Sequence, residues 1–475
     1  MRSPDPRRIG WLTCATLALG ALIGAGAGLL TLLLYGVEHV MLGYVEGAEL
    51  PGPFGVPGVR RAVSVTVGLT VAGVIWYLLR TRSTRVPSVK KAVGGERMPF
   101  WQTIVHVVLQ IFIVGSGASI GREVAPRELG AMLSQRFCDL FHIGTGGTGG
   151  TDGSGAIDRR MVVAVAAGAG LGGVYDAPLA GMFFAVEILL VDVTIEKVAF
   201  GLGMSAVAAF VAGLVKGRHT FYDITAMQAD PTATLMPFAL LCGVACGVAG
   251  ALFRRGSARA SAHRPRGAAI LWMMPLAGAL TAAAAWFVPQ VMGNGRVAAQ
   301  FGFSAPAAPG HAYDGRTVAD ALDPGRMDAI SPWRLAGLAS PGPMAAILGV
   351  LALTFALKAS LTLLTIRSGA SGGVLQPGIA LGATLGAMLG VPWCVLFPGD
   401  SVTACALVGA AALLSASQQA PLMATCLVVE LTGAPIGFLV PVGLAVAASC
   451  LVSAWMEAVA GRRRAARATQ PRPSS

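Results

Sequence analysis

The amino-acid sequence predicts an all-α integral membrane protein whose many tilted and broken transmembrane helices form two inverted structural repeats. Three observations predict it. Of 475 residues, 55% are hydrophobic and 12% charged, against about 25% charged in a soluble domain. Apolar stretches recur along the whole chain, and a bilayer span needs roughly 20 mostly apolar residues. Short signatures also recur at nearly constant spacing, as an internal duplication requires.

Taken in order, residues 1–8 read as a cytoplasmic tail. The first apolar run, 9–36, is too long between Trp11 and Tyr35 for a signal-peptide core and is read as the first span. Residues 37–60 carry Glu38, Glu46 and Glu49 and read as a hydrated outer connection. Apolar segments follow at 61–79, 101–115, 122–139, 160–173, 177–192 and 196–215, bounding a first repeat of about 61–215. A second repeat of about 233–460 contains segments 233–253, 267–292, 341–366, 376–397, 402–416, 421–433 and 435–460. Between its second and third segments, residues 298–340 hold several Pro, Asp and Arg and read as hydrated, with a short surface helix. The tail 461–475 is basic and reads as disordered, suited to anionic lipid. Several segments are too short to cross a bilayer, and many break at Gly or Pro. Irregular backbone cannot face lipid, because its N–H and C=O groups would lack partners. Short helices at membrane depth therefore imply burial against protein or a wet cavity, as in transporters and channels.

The net charge is +12. The basic residues gather in short connections and tails, around Arg7 and Arg8, Arg80 to Lys91, Arg254 to Arg266, and Arg462 to Arg467. Retention of Lys and Arg on the cytoplasmic side accounts for this without nucleic acid and puts both termini inside. The eight cysteines form no C-x-x-C pair, so neither a zinc site nor a disulfide framework is implied. A G-x-G-x-x-G match at Gly144, Gly146 and Gly149 lies in a glycine-rich loop with no strand before it, which argues against nucleotide binding.

The duplication is carried by particular residues. "GAS" occurs at 117–119 and 369–371, and "LGA" at 129–131 and 381–383, both 252 residues apart. "APL" occurs at 177–179 and 420–422, each with a glutamate behind it (Glu187 and Glu430), both pairs 243 apart. The drop in offset coincides with the glycine loop of the first copy. "GASIGREVAP" and "GASGGVLQP" both run small residues into a helix start. Such starts leave free N–H groups and carry the positive end of the helix dipole, and glycines let an anion approach the backbone. Two of them converging would make an electropositive anion site without a full charge. Glu123 lies in that stretch, and an intramembrane carboxylate is functional by default. Its carboxylate can occupy the anion's place and vacate it on protonation, acting as gate and proton carrier. Pairing with Arg122, or with Arg127 one turn on, is the structural alternative.

These motifs resemble those of the CLC family of chloride channels and chloride/proton antiporters, over nearly the whole chain. "GREVAP" is similar to the family's gating motif "GREGP", with Gly121, Arg122 and Glu123 in register, Pro126 displaced by one and Ala125 in the proline position. Gly373, Val374, Leu375, Gln376 and Pro377 resemble the family's "GxFxP", with Leu375 for phenylalanine. The resemblance implies chloride binding by backbone amides of Val124, Ala125, Val374 and Leu375. It implies structural roles for Glu187 and Glu430, bonded to nearby backbone. It implies a homodimer with one pore per subunit in the plasma (cell inner) membrane, moving chloride with or without protons and needing no cofactor. Three departures stand out. "STRVP", Ser83 to Pro87, aligns with the family's "GSGIP", leaving Thr84 as the hydroxyl ligand and Arg85 in place of glycine. The C-terminal anion-binding tyrosine has no counterpart, the last tyrosine being Tyr313. Ile188 stands where antiporters carry an internal proton-transfer glutamate, so a passive voltage- or pH-gated channel is the alternative to coupled exchange, and a fluoride-exporting relative is a further one. An organic-anion transporter would need a more polar cavity than these Ala/Val/Gly-rich spans offer. "GASIG" and "GASGG" fit serine-protease patterns, but these need a histidine partner. None follows Ser371, and His106 precedes Ser119 in an apolar span.

Overall fold

The structure, a computed structural model, describes residues 6–47, 52–143, 157–218, 220–304 and 343–468. The glycine loop with its G-x-G-x-x-G match, Glu49 and most of the 298–340 connection, Tyr313 included, lie outside the described residues. Sixteen α-helices make up the fold among them: α1 Pro6–Met41, α2 Gly58–Arg82, α3 Val89–Val93, α4 Phe100–Gly115, α5 Val124–Leu140, α6 Arg159–Tyr175, α7 Pro178–Phe183, α8 Ile195–Lys216, α9 Leu235–Ala262, α10 Ile270–Phe287, α11 Arg296–Phe303, α12 Pro343–Arg367, α13 Leu375–Leu396, α14 Val402–Gln418, α15 Pro421–Thr432 and α16 Leu439–Ala468. α7 continues into a π-helical turn, Phe184–Leu190. Eight helices are long and apolar enough to cross a membrane; α4, α14, α15 and the α7 unit are apolar but shorter.

Packing repeats with a step of eight helices. α1 lies on α8 as α9 lies on α16; α5 lies on α6 as α13 on α14; and α6 meets α7 and α8 as α14 meets α15 and α16. The recurrence includes α1 and α9. Small residues permit the closest crossings. A Cβ on Gly382 would meet the Gly409 carbonyl oxygen at 2.4 Å, and one on Gly130 would meet that of Ala166 at 2.3 Å. The "APL" repeat marks a shared reversal. α6 and α14 end on left-handed residues, Asp176 (φ 53°) and Gln419 (φ 54°). An alanine follows in each, held out of the helical region by the next proline, and Pro178 and Pro421 open the next helix, where no N–H is needed.

Glu187 and Glu430 bond to backbone, but in the opposite repeat. Glu187 accepts from Leu422 N (3.2 Å) and Met423 N (2.8 Å) at the start of α15. Glu430 accepts from Leu179 N and Ala180 N, both 2.8 Å, at the start of α7. Each carboxylate thus caps the partner helix's N-terminus, satisfying free amides and opposing the dipole.

Three regions differ from the sequence reading. The 37–60 connection is not simply hydrated: α1 runs to Met41, Glu38 is 3% exposed, and Glu46 is 7% exposed. Glu38 Oε2 accepts from Glu46 N (3.0 Å), and Glu46 pairs with Arg296 (2.9 Å), which removes the reason for those carboxylates to seek water. Residues 298–303 of the connection read as hydrated form part of α11 and are buried, while 305–340, where the expected surface helix could stand, lie outside the described residues. α16 continues through Ala468 into the basic tail, a stretch of Arg and Ala with high helix propensity.

Candidate functional site

The starts of α5 and α13 meet. Gly121 and Gly373 form an isolated antiparallel bridge, with Gly121 N donating to Gly373 O at 2.9 Å and Gly373 N donating to Gly121 O at 2.8 Å. Antiparallel pairing of equivalent glycines is what a local two-fold between the repeats produces. The side chain of Glu123, fully buried, lies across this bridge. Its Oε1 accepts from Leu375 N at 2.5 Å, the first amide of α13. Its Oε2 has no hydrogen-bond partner. A Cβ on Gly373 would stand 2.0 Å from Oε1, and one on Gly121 would stand 2.1 Å from Oε2. Only glycine leaves room for a carboxylate here.

Val374 is the N-cap of α13, and Pro377 in its first turn has no N–H to leave unpaired. Val124 and Ala125 open α5, where first-turn amides lack intrahelical partners. Ala125 is fully buried and Val124 partly so. Thr84 is exposed in the segment after α2, and no hydrogen bond joins it to Glu123 or to the glycine bridge.

Three cations surround the carboxylate, and none of them forms an ion pair with it among the described residues. Arg127 Nε donates to the Glu123 carbonyl at 2.7 Å, and its guanidinium lies 4.7 Å from the Phe184 ring centre. Arg122 stacks on Tyr175 (5.6 Å) and Phe221 (5.7 Å). Lys358, 1% exposed, donates to the carbonyls of Val291 (3.1 Å) and Gly293 (2.8 Å) and lies within electrostatic reach of Glu123. The sequence reading missed Lys358, although it is a lone charge inside an apolar span, which was a usable signal. It also missed Tyr175 and Tyr222, and it gave Gln376, although part of the GxFxP-like motif, no role of its own. Tyr222 Oη donates to Gln376 Oε1 at 2.7 Å.

The serines of the protease-like motifs find other partners. Ser119 Oγ is 3.3 Å from Thr362 Oγ1, and Ser371 Oγ accepts from Arg80 at 3.3 Å. His106 accepts from Trp76 Nε1 through Nδ1 (2.9 Å) and presents Nε2 to Glu128 at 3.6 Å. Toward the Lys90 end of the molecule, Ile188 lines a cavity of about 570 Å³ together with Lys90, Arg159 and Arg160.

A family model described as "Voltage gated chloride channel" matches residues 67–454. Among solved structures, a slow cyanobacterial Cl⁻/H⁺ antiporter is similar at 20% identity and a TM-score of 0.68, covering 96% of this chain and 96% of that one. A CLC-type fluoride/proton antiporter is similar at 18% identity and a TM-score of 0.65, covering 95% of this chain and 96% of that one. A eukaryotic CLC transporter is similar at 18% identity and 0.65, covering 93% of this chain and 72% of that one. At such identities these structures share the fold.

Proposed function

The chain belongs to the voltage-gated chloride channel family, and from that premise we propose that it moves chloride across the cell inner membrane along a path gated by Glu123. One observation carries the reading. The Glu123 carboxylate lies across Gly121 and Gly373 and accepts from Leu375 N, a seat of backbone amides that suits a halide equally well. Carboxylate and chloride compete for it. The amides of Val124, Ala125, Val374 and Leu375 hold the anion by partial charges, weakly enough for it to leave. Protonation withdraws the carboxylate's claim, so flux rises with acid. Gly121, Gly373 and Pro377 keep the seat open, Arg122 supplies positive potential, and Thr84 offers a hydroxyl where the path opens to solvent.

Both termini are cytoplasmic in this reading. The ends of α2, α5 and α9 and the start of α6 carry Arg82, Arg136, Arg159, Arg160 and Arg259, in keeping with retention of positive charge inside. Two copies of the chain form a dimer with one path each. A passive conductance is the second reading, favoured by Ile188, which cannot carry a proton where it lines the cavity beside Lys90.

The test is flux from liposomes holding the purified protein. Wild type should release chloride faster at acid than at neutral pH; Glu123→Gln should release it at a rate independent of pH. Unchanged pH dependence in Glu123→Gln removes the gate role. Proton movement driven by a chloride gradient separates exchange from conductance, and a parallel fluoride gradient tests the fluoride-exporting alternative.

A further inference from the structure

In the second turn of α5 stands another carboxylate, and no cation is bonded to it. Glu128 is 5% exposed. Its Oε2 accepts from Gln110 Nε2 at 2.7 Å and lies 3.6 Å from His106 Nε2; both partners are buried residues of α4. The imidazole is held neutral by its other nitrogen. Trp76 Nε1, a donor only, bonds to Nδ1 at 2.9 Å, so Nδ1 accepts and the ring hydrogen sits on Nε2, facing the carboxylate. The charged groups within electrostatic reach of Glu128 are Arg127, which is bonded to the Glu123 carbonyl, and Arg264. Neither forms an ion pair with it among the described residues. A buried carboxylate served only by neutral donors is costly, and inside a membrane segment it is a functional candidate. Gln110 supplies a second observation. It is fully buried, and while its Nε2 bonds Glu128, its Oε1 has no partner. Buried acceptors without donors are rare. A proton on Glu128 supplies the donor, because a half-turn of the amide brings Oε1 to a carboxylic O–H just as Nε2 now meets a carboxylate. The surroundings therefore accommodate both protonation states and fix neither by charge.

We propose that Glu128, oriented by Gln110 and His106, is a second proton-binding site on the inner side of the Glu123 gate. A helix rises 1.5 Å per residue, so Glu128 lies about 7.5 Å along α5 from Glu123, toward the basic end that holds Arg136. That is too far for direct transfer, so water carries the proton between them. On the other flank, Arg80 at the end of α2 lies 5.4 Å from the Trp76 ring centre and donates to the Gly369 carbonyl (2.8 Å) and to Ser371 (3.3 Å), in the segment that leads into α13. The pair is thus one side chain removed from the inner approach to the glycine bridge. In the transfer the Glu128 O–H bond breaks, the Glu123 carboxylate gains the proton and leaves its seat, and the inner solution returns a proton to Glu128. Nothing else is consumed. The inference rests on the chloride reading above and makes that transport an exchange of chloride for protons.

Chloride release and proton movement, recorded in the same liposomes holding the full chain under a chloride gradient, test this. Wild type should move both, in opposite directions. Glu128→Gln, nearly identical in shape, should still release chloride while its proton movement falls to the leak of protein-free vesicles. Gln110→Leu keeps Glu128 and removes its neutral partner, so the proton-to-chloride ratio should fall about tenfold; it decides the matter where Glu128→Gln does not fold. A wild-type ratio in Glu128→Gln, or in Gln110→Leu, overturns the site. Loss of chloride and proton movement together in a well-folded Glu128→Gln protein makes the residue structural and overturns it too. Wild-type chloride release without proton movement overturns Glu128 as a proton site and leaves the gate standing. The gate fails separately, on an unchanged acid response in Glu123→Gln.

Discussion

Gly373→Ala tests the seat most directly. The added Cβ would stand 2.0 Å from Oε1, 2.2 Å from Cδ and 2.7 Å from Cγ of Glu123. Carbon contacts settle near 3.5 Å or more, so the carboxylate must withdraw by about 1.5 Å. Its 2.5 Å bond from Leu375 N then stretches to about 4 Å and is lost. A hydrogen bond to a charged group is worth about 1.5–3 kcal/mol, so the seated carboxylate loses roughly 10- to 150-fold in population. Gly373 does not hold the left-handed backbone that favours glycine, so the fold tolerates alanine. The same methyl crowds an incoming chloride. The expected result is a double loss: chloride affinity falls by tenfold or more, and the acid dependence of liposome efflux flattens. Glu123→Gln differs, because it loses pH dependence while keeping flux. Calorimetric chloride titration and efflux at two pH values read both quantities. A Gly373→Ala protein with wild-type affinity and wild-type acid response would refute the seat.

Two further outcomes follow from polar partnerships. Arg296→Met leaves Glu46 without its partner at a site where both side chains are 5% exposed; the expected loss is about 3–5 kcal/mol, read as a lower thermal midpoint in detergent, and Glu46→Gln added to it should restore part of the loss. Glu430→Ala frees two amides held at 2.8 Å at the start of α7, and Glu187→Ala frees two held at 3.2 and 2.8 Å at the start of α15. Each should cost about 1 kcal/mol, with Glu430→Ala the larger, and equal effects on an unrelated surface glutamate would remove the capping role.

Much of the architecture was legible because apolar length and spacing are local properties. The runs at 101–115, 376–397 and 402–416 correspond to α4, α13 and α14 nearly residue for residue. The 252-residue offset of "GAS" also pointed to Gly121 and Gly373 as equivalent positions, since an offset is visible without coordinates. What the sequence hid is partnership over distance. Glu38 and Glu46 looked solvated because their neighbours are polar; the ion pair that buries Glu46 comes from Arg296, 250 residues away. Glu187 and Glu430 were readable as backbone-bonded, but that each caps the other repeat required knowing how the repeats face each other. Tyr175 carries no motif of its own, and Gln376 stood in its motif only as an unassigned position between Leu375 and Pro377.

If the bridge is the anion seat proposed above, the handling of charge around it lets the site release what it binds. A lysine or arginine bonded directly to the anion in a dry interior would hold it tightly, as Coulomb energy grows when the effective dielectric falls. Here Arg127 is turned onto the Glu123 carbonyl and the Phe184 ring, and Lys358 onto the carbonyls of Val291 and Gly293. Both charges add positive potential around the bridge without being ligands to it. The ligands that remain are amide dipoles, which do not move and carry no net charge. On the proposed reading such a seat binds carboxylate and halide with comparable, modest strength, because a gate works only if the two alternatives are close in free energy. Replacing either cation's carbonyl partners with freedom to reach the bridge would tip that balance toward a trapped anion, so the restraint on Arg127 and Lys358 is as much a part of the site as the glycines.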